Sequence, residues 1–404
     1  MTVLRFLFLL LIFSRASLAQ TPKTAETIAI LPFENKSGSP VMEWIGDSFP
    51  EILGERMSSD SLYVVRREER LLAFDRVGIP TNVRPSRATC YRLAQDLGVD
   101  YLVFGRYELD GNNLKVTAQL LRMSSLRLTP EVTQEGPLPK LLKTQTALAW
   151  DLLALFDSAP QRSREQFLDN TPDVRVDAFE NYMRGLIAAS QPEQIRHFKE
   201  ALRLSSDYGP ALLQLGKTYY AARDYSSAVA SLKQVSKRDP SALEASFFLG
   251  MAAYYAADFS RAEAAFTFLS TRLPASEIYN NLGVVSSRLG RRAALDHFRK
   301  AVEIDPQEPD YRFNLAVNLY RHDDLPGAAT QLREMLALRS NDSEARALLE
   351  TVTHALATSS RAGRTFPLER IKTEYDEASL RGVVLGARQN GSTPDSAQPR
   401  QSAH

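Results

Sequence analysis

The residues that could take part in chemistry are few and scattered along this chain. Five histidines occur in 404 residues, and their spacing matches no zinc-binding pattern. They are His197, His297, His322, His354 and His404. We find neither a glycine-rich phosphate loop nor a serine nucleophile elbow, and the short turns at 38–40 and 46–48 are typical of simple chain reversals. The sequence therefore predicts no catalytic residue, no metal site and no cofactor.

Cys90 is the single cysteine, so an intrachain disulfide is impossible. It lies in an apparent amphipathic helix, Arg87-Ala-Thr-Cys-Tyr-Arg-Leu-Ala. A cysteine in such a helix favours a buried packing role over a reactive thiol.

Length and charge set the broad class. A chain of 404 residues is long for one core, so we expect two or three domains. The composition, 44% apolar and 24% charged, is that of a globular protein. A net charge of +1 provides no overall field for nucleic acid, so we expect no nucleic-acid partner.

The first 19 residues have the layout of a cleavable secretory signal. Arg5 precedes an apolar run over 6–13, and the small residues Ser17 and Ala19 precede the predicted cleavage point. The run is too short to span about 30 Å of hydrocarbon. Arg15 is unusual in this place and leaves an uncleaved anchor as an alternative. No later segment looks transmembrane, so we predict no membrane span in the mature chain.

The second half of the chain repeats itself. Leu-Gly pairs at 215–216, 249–250 and 282–283 are followed by Leu315-Ala316, and Leu215 and Leu249 are 34 residues apart. Other positions recur in the same register. They are a small residue (Ala228, Ala262, Ala294, Ala328), a large one four residues later (Leu232, Phe266, Phe298, Leu332) and a closing proline (Pro240, Pro274, Pro306).

This pattern predicts stacked helical hairpins. Glycine lets the two helices of a hairpin approach, and we expect the small alanine to lie opposite it. The large residue fills the layer between hairpins, and proline ends the second helix. The pattern resembles the tetratricopeptide repeat (TPR), which implies an all-α solenoid over 173–357. We count about five hairpins, the first a poorer copy, and a capping helix from Ser343.

The resemblance implies a concave groove that binds another polypeptide. In that family, groove-facing residues occupy fixed positions of each first helix. Here these positions hold Leu213, Lys217, Tyr220, Phe247, Met251, Tyr254, Asn280, Val284, Ser287, Phe313, Val317 and Tyr320, and we add Asn281 and Asn314 to the predicted groove. Lys217 alone matches the Lys/Asn/Arg clamp of chaperone-binding members, so a terminal carboxylate is not the expected ligand. An apolar and aromatic groove, with Arg288 and Arg321 at its edge, suits an extended or helical apolar segment.

Asn281 and Asn314 recur at one register of the groove. An amide side chain can donate to and accept from a peptide backbone without reading its sequence. The alternative is that asparagine is simply common at this position, and the sequence leaves both open.

The sequence over 26–157 shows a different pattern from the repeats. Apolar runs at 27–34 and 62–65 predict strands, and helical spacing predicts helices at 42–57, 67–77, 87–97 and 138–156. Asp110-Gly-Asn-Asn predicts a hairpin between two longer strands, and a weak strand is expected near 126–134. Together these elements predict an α/β sandwich.

Three stretches of this part resemble the amino-terminal domain of TolB and of curli-transport proteins. They are Ile30-Leu-Pro-Phe-Glu-Asn-Lys-Ser-Gly, Trp44-Ile-Gly-Asp-Ser and Leu97-Gly-Val-Asp-Tyr-Leu-Val-Phe-Gly-Arg-Tyr. The resemblance covers 26–125 and implies a bacterial protein-docking module of the cell envelope. The β-propeller of TolB is absent, so that protein's own role does not transfer.

The remaining segments are a linker and a tail. Residues 158–172 look like a polar linker, and 358–388 like a short helical element with its helix from about Leu368. Beyond 389, Ser, Pro, Gln and Gly dominate, so we expect disorder.

The fold class predicted is thus multidomain: an α/β sandwich followed by a TPR solenoid. The function that fits is a non-enzymatic adaptor, periplasmic, outer-membrane-associated or secreted. It would bind a polypeptide in the groove and an envelope component through the α/β domain. The alternative is a sensory module that binds a small ligand in the α/β domain and signals through the repeats.

Overall fold

A computed structural model describes residues 25–80, 85–156, 163–358 and 366–375. The predicted signal over 1–19 and the predicted disordered tail from 389 lie outside these residues. The described chain forms a mixed sheet with helices on both faces, called the sheet unit (25–80 and 85–156), followed by a helical array. Among the described residues, no helix combines the length and the apolar character needed to cross a membrane.

The sheet unit contains seven strands and four helices within the described residues. The strands are β1 (Glu26–Ile30), β2 (Glu34–Asn35), β3 (Leu62–Val64), β4 (Tyr101–Asp110), β5 (Asn113–Arg122), β6 (Arg127–Leu128) and β7 (Val132–Pro137). The helices are α1 (Glu43–Met57), α2 (Arg67–Val77), α3 (Arg87–Leu97) and α4 (Leu141–Leu153). Strands β3, β1 and β4 are parallel neighbours, β5 is antiparallel to β4, and β6 and β7 both pair with β5.

Alternating side chains of the sheet pack against helices on opposite faces. Ile28 and Ile30 of β1 belong to the core beneath α1 and α4, whereas Ala29 and Leu31 pack with α2 and α3. The predicted hairpin between β4 and β5 is confirmed, with Asp110 paired to Asn113. Gly111 takes the left-handed conformation (φ +56°) that this tight turn requires. The weak strand expected near 126–134 is instead two short strands, β6 and β7.

The array consists of paired helices and a final single helix. The hairpins are α6 (Val176–Ile187) with α7 (Gln191–Leu204), α8 (Gly209–Ala221) with α9 (Tyr225–Leu232), α10 (Ala242–Tyr255) with α11 (Phe259–Ser270), α12 (Ser276–Arg288) with α13 (Ala294–Ile304), and α14 (Pro309–Arg321) with α15 (Leu325–Leu338). Helix α16 (Ser343–Thr358) follows the last hairpin. Its mixed polar and apolar sequence suits a solenoid end.

The glycine of each Leu-Gly pair faces a large side chain, not the small alanine that we expected. A Cβ on Gly250 would lie 2.7 Å from the ring of Phe266, and one on Gly283 would lie 2.7 Å from the ring of Phe298. The alanine lies one helical turn earlier on the second helix. The absence of a side chain on this glycine therefore lets the large residue of the second helix pack against the backbone of the first helix.

The predicted polar linker is not simply a connector. Residues 164–169 form a short helix, α5 (Arg164–Asp169), whose Phe167 is buried. The guanidinium of Arg56 in α1 lies 4.5 Å from the centre of the Phe167 ring and donates to the main chain of Asn170 at 3.0 Å. The rings of Trp44 in α1 and Phe179 in α6 meet edge to face at 6.1 Å. The first hairpin therefore shares its core with the sheet unit.

The helix expected from about Leu368 is wrong for the residues that the structure describes. Residues 366–375 contain no helix. Their main-chain groups bind side chains of the array, so the bonds that would close helical turns are not made.

Candidate peptide-binding groove

Residues 366–375, called the groove segment below, lie along the first helices of three successive hairpins. Phe366 packs on Tyr320 at the end of α14, with ring centres 5.1 Å apart. Tyr375 packs on Phe247 of α10, with ring centres 4.6 Å apart. Between these ends the segment crosses α12. The surface that it covers is called the groove.

Three buried asparagines bind the main chain of the groove segment. Asn314 donates to the carbonyl oxygen of Arg370 and accepts from its N–H, both at 2.7 Å. Asn281 makes the same pair of bonds with Lys372, both at 2.8 Å. Asn280 donates to the Arg370 carbonyl at 3.0 Å and accepts from Asn314 at 2.7 Å. The amides thus satisfy every second residue of the segment, which is the period of an extended chain.

The Arg370 side chain enters a cluster of carboxylates. Its guanidinium lies 2.9 Å from Asp310, 2.8 Å from Asp342 and 2.9 Å from Glu344. Its carbon Cζ is 3.8 Å from the centre of the Phe313 ring. Hydrogen bonds from Arg370, opposed by burial, lower the pKa of Asp342. The Asp342 carboxylate therefore remains ionised beside this cation.

Lys372 binds the same cluster two residues further on. Its ammonium lies 2.8 Å from Asp310 and 3.1 Å from Glu308. It also lies 5.5 Å from the centre of the Tyr311 ring. Burial acts to raise the pKa of Asp310, but hydrogen bonds from Lys372 and Arg370 outweigh it and lower that pKa to about 2.

Glu369 points into a basic pocket on the other side. Its side chain is fully buried and pairs with Arg321, while Arg288 lies 3.3 Å from the second carboxylate oxygen. Ser287 donates to the same carboxylate. Arg321 also donates to the carbonyl of Pro367 at 3.1 Å. An acidic side chain is therefore the residue type that this pocket accommodates.

Seven of the fourteen residues predicted for the groove make a ring contact or a hydrogen bond with the groove segment. They are Phe247, Asn280, Asn281, Ser287, Phe313, Asn314 and Tyr320. Arg288 and Arg321, expected at the edge, both reach Glu369.

The other predicted residues serve the packing of the helices. Leu213, Met251, Val284 and Val317 are buried in the array. Lys217 pairs with Glu244 at 2.7 Å, and Tyr220 packs against Tyr225, Phe248 and Tyr255. Tyr254 and Ile371 of the segment pack against the same two hydrophobic clusters.

The expectation of an apolar groove is incomplete, because the middle of the bound segment is charged. The acidic residues were missed since they lie outside the helix positions that the repeat comparison supplies. Glu308 and Asp310 are at the start of α14, and Asp342 and Glu344 are at the start of α16. The signal in the sequence was the charge of Glu369, Arg370 and Lys372, which is opposite to that of the side chains they meet.

Comparison with protein families identifies the repeats. A family model described as tetratricopeptide repeat matches residues 213–267, 249–309 and 289–345. MamA from Desulfovibrio magneticus RS-1 is 26% identical, with 41% of this chain and 96% of that chain covered and a TM-score of 0.36. YrrB, described as a TPR protein with an unusual peptide-binding site, is 15% identical, with 46% and 96% covered and a TM-score of 0.39. Both TM-scores are below 0.5, so these likenesses are partial.

One curated relative matches a short stretch. It is the probable biofilm formation methyltransferase WspC of Pseudomonas putida, 37% identical over 78 residues, which are 19% of this chain and 18% of that protein. The chain thus spans about a fifth of that relative's length, and the match does not transfer the methyltransferase activity of the relative to this chain. The helical hairpins over 213–345 are tetratricopeptide repeats, and this part of the chain is a protein-interaction scaffold of that type.

Proposed function

We propose that this protein is a non-enzymatic adaptor whose groove binds a segment of another polypeptide in extended form. The observation that carries the proposal is the pair of two-point bonds from Asn281 and Asn314 to the main chain of the groove segment. Every polypeptide offers one N–H and one C=O per residue. A groove that satisfies both groups at alternate residues therefore suits a peptide of any origin.

The repeat spacing explains why the two bonds fall two residues apart. Asn281 is in α12 and Asn314 is in the next first helix, α14, and each occupies the same position of its repeat. One step along the solenoid thus corresponds to two residues of the bound chain, which span about 6.6 Å in an extended conformation. Two residues of a helix would span only about 3 Å, so this spacing favours an extended ligand over a helical one.

For the sheet unit we propose docking to a component of the cell envelope after export through the predicted signal. The support is the resemblance of residues 26–125 to TolB-type amino-terminal domains, together with the shared core of Trp44 and Phe179 that fixes this unit to the first hairpin. Both faces of the described sheet are packed with apolar side chains. That packing favours docking over the binding of a small ligand between the sheet and its helices.

The test uses the full chain and a fluorescent peptide with the sequence of residues 366–375. In the host variant E369A/R370A/K372A, the chain's own segment is weakened and the groove is free to take the peptide. We expect saturable binding, measured by anisotropy. Adding Asn281→Ala and Asn314→Ala to the host removes four hydrogen bonds of about 1 kcal/mol each, so affinity falls by more than a hundredfold.

A matched control is Asn318→Ala in the same host. Asn318 is equally buried in α14 and, among the described contacts, makes no hydrogen bond to the groove segment. Its replacement leaves the affinity within about twofold if the amides at 281 and 314 act on the peptide directly. Binding that survives the loss of both asparagines would refute the proposed function.

A further inference from the structure

We infer that the partner segment carries an acidic residue, directly followed by a basic one, then an apolar one at the position of Ile371, then a second basic one, and that residues 366–375 compete with it inside the same chain. This inference deepens the proposed function and rests on it. The asparagines hold the main chain of any peptide, so selection among peptides must come from the side-chain pockets beside them.

The first pocket selects an acidic residue. It is formed by Arg288, Arg321 and Ser287, which surround the fully buried carboxylate of Glu369. A neutral side chain there would leave two partly buried arginines close together without the carboxylate that now lies between them. A basic one would add a third like charge.

The second pocket selects two basic residues. Asp310, Glu308, Asp342 and Glu344 supply four carboxylates. The nearest cation of the array is Arg339, which lies 2.8 Å from Asp310, 3.6 Å from Glu308 and 3.9 Å from Asp342. Four carboxylates and one guanidinium leave this pocket with an excess of three negative charges. Arg370 and Lys372 offset two of them.

The register of the ligand is fixed by its main chain. Asn314 binds the residue in the Arg370 position and Asn281 binds the residue in the Lys372 position. The side chain at the Glu369 position therefore reaches the first pocket. The side chains at the Arg370 and Lys372 positions reach the second pocket. Leu368, one residue earlier, is 66% exposed, so that position adds no selection. A peptide with the same charges in another order cannot place them correctly.

Competition follows from the covalent link. Seven residues separate Thr358, the end of α16, from Phe366. A tethered segment this near acts at an effective concentration on the order of 1 mM. A free peptide with the same contacts must therefore reach millimolar concentration to displace it. A natural partner needs further contacts, or a change that weakens the segment.

The experiment compares two labelled peptides on the full-length host variant E369A/R370A/K372A. One has the sequence of residues 366–375, and the other carries the exchange E369R/R370E, so that composition and net charge are equal. We expect the exchanged peptide to bind at least about thirtyfold more weakly, because each reversed charge faces a pocket of its own sign. Arg321→Glu in the host should reduce that difference.

The wild-type chain tests the competition with the same peptide. We expect it to bind the native-order peptide at least about tenfold more weakly than the host variant does, because its own segment fills the groove. Circular dichroism and thermal melting verify that each variant is folded.

The outcomes separate the two ideas. Equal binding of both peptides would overturn the charge-order inference and leave the proposed function standing. Binding of neither peptide to a folded host would overturn both. Equal affinity of the wild-type chain and the host would overturn the competition.

Discussion

The hydrogen bonds of Asn281 give a prediction whose size can be worked out from the structure. Asn281 donates to the Lys372 carbonyl and accepts from the Lys372 N–H, each at 2.8 Å, and its side chain is fully buried. Asn281→Ala removes both bonds while the segment stays bound. When the segment is released, water satisfies the same main-chain groups in either protein.

The difference between these two states sets the magnitude. Two net hydrogen bonds of about 1 kcal/mol each favour the bound segment by about 2 kcal/mol, which is about thirtyfold in the equilibrium constant for release. The Lys372 amide can exchange with solvent only when its bond to Asn281 opens. Asn281→Ala removes this bond and also favours release about thirtyfold, so we expect this amide to exchange at least about thirtyfold faster in the variant than in the wild-type chain.

Amide hydrogen exchange, resolved by NMR or by mass spectrometry of peptides from 366–375, is the assay. The Arg370 amide, which donates to Asn314 at 2.7 Å, reports whether the whole segment leaves together or only its second half. Asn318→Ala is the control and is expected to leave both rates unchanged, since this buried asparagine of α14 makes no bond to the segment among the described contacts.

Two results would refute the reasoning. One is an Arg370 or Lys372 amide that exchanges in the wild-type chain as fast as in a free peptide, since the segment would then not occupy the groove. The other is an unchanged exchange rate at Lys372 in Asn281→Ala.

Three further predictions concern the carboxylate pocket of the groove, the packing of the repeats and the sheet unit. Because the pKa of Asp310 is about 2 with the segment bound and about 3.9 in a free carboxyl, peptide binding is retained above about pH 4 and lost as the pH falls towards 2; anisotropy should show less of this loss in Asp310→Asn. Gly250→Val should lower the free energy of unfolding by about 1–3 kcal/mol in urea titrations, because a Cβ there lies 2.7 Å from the Phe266 ring, and Phe266→Leu should restore part of it. Burial raises the pKa of the Cys90 thiol to about 11, so a maleimide should label it slowly at about pH 7.5 in the folded chain and rapidly in urea; rapid labelling of the folded chain would contradict this.

The repeats could be predicted because their pattern is local. Each hairpin is specified by residues within one 34-residue period, such as Leu215, Ala228 and Leu232. Similar residue types recur at the same positions of the next period. The sequence left two interpretations of Asn281 and Asn314 open, and contact with a peptide main chain was one of them. That contact could be considered from the sequence because it depends only on the position of each asparagine within its repeat.

The groove segment could not be predicted from local pattern. Leu-Glu-Arg-Ile-Lys favours a helix by intrinsic propensity, and contacts made far along the sequence override that preference. Arg370 binds Asp310 and Asn314, 60 and 56 residues away. The carboxylate pocket is likewise formed only when α14 and α16 are brought together by α15. Helix α5 was missed because six residues are too few to show a helical period.

The groove segment has a polarity, and that polarity assigns an entrance and an exit. Its first residue, Phe366, lies at Tyr320 on α14, and its last described residue, Tyr375, lies at Phe247 on α10, so it runs against the order of the repeats. Tyr375 also borders a cleft of about 870 Å³ whose walls include Arg66 of the sheet unit and Glu244 of α10. A partner threaded in the same direction enters over the last repeat and emerges beside the sheet unit. The residues that follow the bound stretch in that partner then lie beside the sheet unit. One continuous polypeptide can therefore contact both the groove and the sheet unit without a chain reversal.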